Sequence, residues 1–324
     1  MVFLLLKVRM MRIFFFFLFV GVLWGQENDM KYYQYNLWLR PSINMDYLRL
    51  EVIEAPENES LKNKKLLPNY PVNLGLSMGI YNTFVTVGYS KSIVPLRDTD
   101  KYGKSKFFDF QVHSFFKERF LFDLYYQDYK GFYYTDKANI RLLNDTKIHQ
   151  IGSELLYFRN LKEIALEQLL NHGKTQFGTA FGWYIGGGLY YHKIDIPALS
   201  YVNSNEVFRH IQAGVSVGVT GNINLTDNFT AFTLMGIGGY FGGEMKPLSK
   251  MKLNGYNNFR LLLSGVYTKK DWTFIFTVQE NNKQLYYRKN EQIDINSSNI
   301  EISCIRQFRF QTKYRNRVME LLGM

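Results

Sequence analysis

Between positions 69 and 134 apolar and polar residues alternate in paired runs, each pair joined by a turn of two residues. In 72–90, Leu74, Leu76, Met78 and Ile80 share one face, with Asn73, Gly75, Ser77 and Gly79 on the other; after Tyr81-Asn82, Val85, Val87 and Tyr89 oppose Thr86, Gly88 and Ser90. A period of two means strand, because successive side chains leave opposite faces of an extended backbone. The next pair repeats the pattern: Phe108, Phe110 and Val112 against Asp109, Gln111 and His113, then Phe122, Leu124 and Tyr126 against Asp123, Tyr125 and Gln127. A soluble sandwich alternates too. Strand length decides in favour of a membrane barrel: the runs approach the nine to eleven residues that cross a bilayer at a tilt, with aromatic residues gathered toward their ends.

Extended along the chain, the alternation predicts twelve strands, within a range of ten to fourteen, at 45–54, 71–80, 83–91, 106–116, 119–130, 148–158, 177–193, 207–220, 228–241, 257–268, 271–281 and 299–310. From a periplasmic N-terminus the outer loops become 55–70, 92–105, 131–147, 194–206, 242–256 and 282–298, all long. The turns at Tyr81-Asn82, Lys117-Glu118, 221–227 and Lys269-Lys270 are short, as outer-membrane barrels require. The connection 159–176 breaks that rule and reads as a periplasmic turn or a helical plug; making a strand of 164–170 would invert every later loop. Residues 32–39 extend the first strand across Pro41 or pack at the periplasmic rim, so 26–44 is an N-terminal segment, 45–310 the barrel and 311–324 a periplasmic tail. Inward small residues, Gly178, Ala180, Gly182, Gly186 and Gly188, leave room for a channel or, in a narrow barrel, for side chains of the opposite wall.

The N-terminus supplies an address. Lys7, Arg9 and Arg12 precede the apolar run 13–24 and then Gly25-Gln26, which reads as a secretory signal over 1–25, against the alternative of an uncleaved anchor helix. The run is too short to span as a helix, and none elsewhere approaches about 20 apolar residues, so membrane passage falls to strands. The chain of 324 residues is 46% hydrophobic and 17% aromatic, yet its mean hydropathy is −0.21, which suits a wall oily outside and polar inside. Cys304 is the single cysteine. It predicts neither a disulfide framework nor a lipid anchor and reads as a packing residue.

Net charge is +11; without Lys7, Arg9 and Arg12, 36 basic residues face 28 acidic ones, or +8. An exported chain does not meet nucleic acid. The basic clusters Lys62, Lys64, Lys65; Lys101, Lys104, Lys106; and Lys246, Lys250, Lys252 fall in expected loops, where they either face lipopolysaccharide phosphates or are simply solvated. The expected partners are outer-membrane lipid and lipopolysaccharide, and periplasmic chaperone and barrel-assembly machinery during biogenesis, around a monomer.

The inward polar positions Asp109, Gln111, His113, Asp123 and Glu154, with Arg260 or Arg306 from later strands, predict a charged girdle: a pore constriction or binding site, or an ion-pair network that fills the lumen. A barrel lipase or deacylase needs a serine activated by a histidine, and known ones place His-x-Ser on one strand face. None of the five histidines has that spacing. His192 with Asp195, near an outer loop, is the remaining acid–base pair, read either as catalytic or as a rim hydrogen bond. The tail of a P-loop at Gly173-Lys174-Thr175 lacks its glycine at Gln168, and Gly236-Ile237-Gly238-Gly239 lacks its last, at Phe241. No cofactor or metal is expected.

The stretch Tyr70-Pro71-Val72-Asn73-Leu74-Gly75-Leu76, then Phe108-Asp109-Phe110-Gln111, then the run from Phe122 through Asp123-Leu124-Tyr125-Tyr126-Gln127 to Tyr129-Lys130-Gly131-Phe132-Tyr133, resembles a Bacteroidota outer-membrane family catalogued as domain of unknown function 4421. The Asp-Leu-Tyr-Tyr-Gln to Tyr-Lys-Gly-Phe-Tyr run is the specific part, and the chain departs from the family at Leu169-Leu170-Asn171-His172. The resemblance implies an outer-membrane location and brings no activity. The expected molecule is an all-β antiparallel transmembrane barrel, acting as a narrow pore or as a plugged structural or surface-binding barrel. The alternatives are the lipid-acting hydrolase and a soluble exported sandwich. A sandwich buries Leu74, Leu76, Phe108, Phe110, Phe122 and Leu124 against a second sheet; a barrel turns them outward.

Overall fold

In the computed structural model, which describes residues 33–54, 62–80, 85–116, 119–137, 139–159, 164, 166, 178–197, 207–245, 254–287 and 291–312, each long strand hydrogen-bonds antiparallel to the next. They are β1 (Tyr33–Glu54), β2 (Lys64–Leu66), β3 (Pro71–Ile80), β4 (Val85–Pro95), β5 (Lys106–Phe116), β6 (Phe120–Asp136), β7 (Asn139–Phe158), β8 (Ala180–Asp195), β9 (Phe208–Thr226), β10 (Phe229–Glu244), β11 (Asn254–Lys269), β12 (Trp272–Tyr287) and β13 (Glu291–Thr312), with one helical turn, α1 (Thr99–Tyr102). β13 returns to pair with β1, closing the sheet. Of the thirteen strands, β2 pairs only with the outer end of β1, so the ring itself has twelve, as the alternation predicts.

Closure turns one face of every strand to the surroundings, and that face is apolar. Leu74 is 48% exposed and Leu76 53%, with Phe122 and Leu124 exposed beside them. The soluble sandwich is thereby excluded. The band continues around the ring through Phe181, Val217, Ile237, Phe276 and Ile302, a continuous oily belt that water would not tolerate and a bilayer matches.

Several strands run farther than expected. β1 starts at Tyr33 and not at 45, passing through Pro41, where the ladder to β13 lapses between Leu39–Arg306 and Ser42–Ser303 because proline has no N–H to give. The expected outer loop 131–147 is largely a hairpin of β6 and β7 out to Asp136–Asn139, and most of the described part of 282–298 is paired strand. The physical reason is common to both: above the bilayer both faces become polar, so the alternation fades while the hydrogen-bonded ladder continues. At the opposite end of the ring the 221–227 turn tightens to Asp227-Asn228, because β9 continues through the polar positions 222, 224 and 226 to Thr226. The signal segment 1–25, residues 26–32, the Tyr81-Asn82 and Lys117-Glu118 turns, the Lys246–Lys250–Lys252 cluster and residues 313–324 lie outside the described residues.

Glycines line the inside of β7–β10 where tyrosines of the same wall lie across them. Tyr125 covers Gly152, Tyr184 covers Gly218 and Gly236, and Tyr240 covers Gly214 and, on its own strand, Gly238. Of the small residues the sequence singles out, Gly186 meets Leu156 and Gly188 meets Tyr190 and Glu154, all from the same or the adjacent strand and not from the opposite wall. A second device sits in the Tyr129–Tyr133 run. Gly131 has φ +86°, and any Cβ there would strike the Lys104 carbonyl. It makes the bulge between Lys130 and Phe132, with Tyr129 and Phe132 in the inner apolar cluster and Tyr133 buried on the other face beneath Tyr102 and Arg97. The Tyr133 hydroxyl then accepts from Arg97 at 2.7 Å, and Leu67 bridges to the Tyr133 backbone. Gly131→Ala is expected to lower unfolding stability by about 1–3 kcal/mol, read as a reduced urea midpoint of refolded protein; an unchanged midpoint contradicts this account of the bulge.

Candidate functional site: a polar chamber between two apolar plugs

Inside the ring, side chains sort by height. At the end of the ring that carries the short turns, Trp38, Phe115, Leu121, Phe158, Phe232 and Ile305 belong to one apolar cluster drawn from β1, β5 to β8 and β10 to β13. Within it are Ile164, fully buried, and Leu166, 5% exposed, both from the long connection after β7. These two residues are the described part of the 160–177 connection, and they sit inside the ring. At the outer end Leu48, Leu50, Phe107, Ile148, Ile194 and Phe208 make a second cluster, joining β1 to β7, β8 and β9 on the far wall.

Between them lies a cavity of about 240 Å³ with a polar lining. The lining comes from regular alternation, since Arg40, Ser42, Asn44 and Asp46 on β1, Gln279, Asn281 and Lys283 on β12, and Ser297, Asn299 and Glu301 on β13 all fall on the inward parity. Its charges are paired across the lumen. Arg260 on β11 reaches Glu154 on β7 at 2.7 Å, and the same carboxylate accepts a hydrogen bond from the Tyr190 hydroxyl. Lys283 on β12 donates to the Tyr125 hydroxyl at 2.5 Å on the opposite wall and stands 3.9 Å from the Tyr190 ring centroid. Along β5 and β6, His113 Nδ1 meets Asp123 at 2.6 Å, His113 Nε2 meets Gln111 at 3.2 Å, and Gln111 donates to Asp109 at 2.6 Å. Arg40 pairs with Glu301 and donates to Ser303. Asp46 has only amide donors, Asn73 at 2.5 Å and Asn299 at 2.7 Å.

The structure thus brings Asp109, Gln111, His113, Asp123, Glu154 and Arg260 to one chamber. Arg306 is a correction: it faces outward, its guanidinium 4.8 Å from the Trp272 ring centroid. It lies three residues from inward Ser303, so parity alone places it outside. The His192–Asp195 pair also fails on parity. His192 is fully buried inside, whereas Asp195 is directly opposite Lys147 on the outer wall. Neither His192 nor His113 has a serine hydroxyl among its hydrogen-bond partners within the described residues. No grouping of three His, Cys, Asp or Glu residues able to hold a metal occurs among the described residues.

Sequence reasoning missed Arg40, Asp46, Lys283 and Glu301. The signal is there as same-parity polar positions: Asp46 and Glu301 lie within the expected strands 45–54 and 299–310, whereas Arg40 falls in the expected N-terminal segment and Lys283 in the expected loop 282–298. It also missed His210, directly opposite His192 and bonded to the Tyr256 hydroxyl at 2.6 Å. Because Arg260 balances Glu154 in a setting with little water, Glu154→Gln strands a buried cation. The variant should lose about 3–5 kcal/mol in a urea titration, and Glu154→Gln with Arg260→Gln should lose less than the single change. A double-variant loss equal to the sum of the losses of Glu154→Gln and Arg260→Gln made singly would show that the two residues act independently.

Among solved structures, the chain is 9% identical to outer-membrane expressed OmpT of Vibrio cholerae, covering 88% of this chain and 100% of that one at a TM-score of 0.30. It is 8% identical to the beta domain of the Bordetella autotransporter BrkA, over 83% and 99% at 0.39, and 9% identical to the Pseudomonas putida toluene transporter TodX, over 85% and 90% at 0.31. The barrel assignment rests on the register and the apolar belt and not on these scores. No curated protein matches. A family model matches residues 28–310, and the chain belongs to that family, described as Domain of unknown function (DUF4421).

Proposed function

We infer that the protein is an outer-membrane β-barrel that rests closed, holding a small polar chamber between a fixed outer seal and a periplasmic plug. Ile164 and Leu166, seated inside the ring, carry this reading: a standing pore has no use for an apolar segment across its inner mouth. The apolar belt, the signal-like segment 1–25 and the long-loop parity support insertion in the outer membrane of a Gram-negative cell, by periplasmic chaperones and barrel-assembly machinery, as a monomer with periplasmic ends. The sequence resemblance favours a Bacteroidota source.

The chamber supports solute binding in preference to a purely structural interior. Its volume of about 240 Å³ is below that of drug-sized pockets and suits a compact molecule. The side-chain carbonyl oxygen of Asn44, which lines the chamber beside Asp46, is buried without a donor among the described residues, so a hydroxyl- or ammonium-bearing solute would satisfy it. Release would require the plug to move, since the outer seal is made of strand side chains fixed in register.

In a planar bilayer, refolded wild-type protein should show no standing open current. Ile164→Asp with Leu166→Asp, which puts charge into an apolar cluster, should produce current steps, and Asp109→Asn in that background should reduce their cation selectivity. Steady wild-type conductance would overturn the closed reading and restore the narrow pore.

A further inference from the structure

Strand register stacks cations on the outer half of one wall. Lys106 on β5 stands directly opposite Lys130 on β6, and Lys130 directly opposite Lys147 on β7. Their strand neighbours Phe107, Tyr129 and Ile148 are buried inward, so the three lysines point out. Side chains so paired lie about 5 Å apart at Cβ, and like charges there are destabilising. One row nearer the belt, Lys91, Phe108, Asp128, His149, Lys193 and Arg209 follow in register from β4 to β9. The next row is Tyr89, Phe110, Tyr126, Ile151, Tyr191 and Ile211.

Two carboxylates interrupt these rows: Asp128, 3.2 Å from His149, and Asp195, facing Lys147. None of the six Lys and Arg side chains makes an ion pair among the described residues. On the other wall the charges are mixed, with Glu51 between Asp294 and Lys65 and 3.9 Å from Arg49. A patch of six cations against two carboxylates, immediately above an aromatic row, fits an amphiphile with anionic groups at the hydrocarbon boundary. A soluble anion would make no use of the aromatic row.

We propose that the β4–β9 wall binds the phosphorylated headgroup of an outer-leaflet glycolipid of the lipid A kind. Its phosphates bridge Lys106, Lys130 and Lys147, and its acyl chains lie along the Tyr89–Ile211 row. This reading depends on the belt lying in a bilayer and is independent of whether the lumen is closed. The basic residues that matter lie on strand faces and not in loops; of the loop clusters the sequence suggested, only Lys106 takes part, and Lys64 is held by Asp136 at 2.8 Å.

The test is the thermal midpoint of β-sheet loss in phosphatidylcholine vesicles, alone and with added lipid A. Lipid A should raise the wild-type midpoint, fully dephosphorylated lipid A should not, and high salt should shrink the rise. The K106Q/K130Q/K147Q variant should lose most of that rise, while in pure phosphatidylcholine its midpoint should equal or exceed the wild type because the repulsion is gone. A wild-type midpoint indifferent to lipid A would overturn the proposal, as would an equal rise with the dephosphorylated glycolipid. An equal rise with phosphatidylglycerol at matched charge would likewise overturn it in favour of unspecific attraction to anionic surfaces.

Discussion

A strand in hydrocarbon has nowhere to put an unpaired backbone group, and that requirement governs the molecule. Only a ring without edges satisfies it, and here the ring is completed by β1 and β13, paired from Tyr33–Thr312 to Glu54–Gln292. Both strands are 22 residues long, far more than a bilayer crossing needs. The surplus secures the seam, where Pro41 costs the ladder a donor. With edges abolished, alternation acquires a fixed meaning: one parity meets lipid and the other meets the lumen.

The lumen then faces a packing problem. Twelve strands enclose more space than two layers of ordinary side chains fill, and glycine-backed tyrosines, arginine and lysine span it. Arg260 to Glu154 and Lys283 to Tyr125 tie opposite walls together. Charges buried this way need partners, which is why the polar residues sit in one layer, with apolar clusters above and below that exclude water. In the closed reading proposed above, the same layering that stabilises the barrel also shuts it. A chamber formed by structural necessity then becomes a place where a solute could be held away from both sides of the membrane.

Much of this was legible from the residues. The alternation in 72–80 and 108–127 gave strand, face and membrane belt, and loop parity gave twelve ring strands with the 159–176 connection as an exception whose Ile164 and Leu166 lie inside the ring. What escaped had local causes. The inward row Arg40, Ser42, Asn44 and Asp46 was cut at residue 45 because Pro41 reads as a strand breaker, although proline is tolerated where its missing N–H interrupts a single rung. Arg306 and Asp195 were assigned by chemistry where counting parity from Ser303 and His192 would have turned both outward. Cross-lumen partners such as Lys283 and Tyr125 are separated by 158 positions, and no local pattern announces them. The lysine row is of the same kind: Lys106, Lys130 and Lys147 look ordinary in sequence and become neighbours only through register.

The central claim is that the chamber is shut from both sides. Cys304 is the single cysteine, so Cys304→Ser gives a blank background into which Ser297→Cys, on the chamber wall, and Lys62→Cys, exposed in an outer loop, can each be placed. The measurement is the rate at which a charged, membrane-impermeant thiol reagent labels the folded protein in vesicles. A closed chamber predicts full labelling at position 62 and none at 297 over the same period, with 297 reacting only after unfolding. Comparable rates at the two positions would mean that water and ions pass freely through the lumen, and the closed barrel would be wrong.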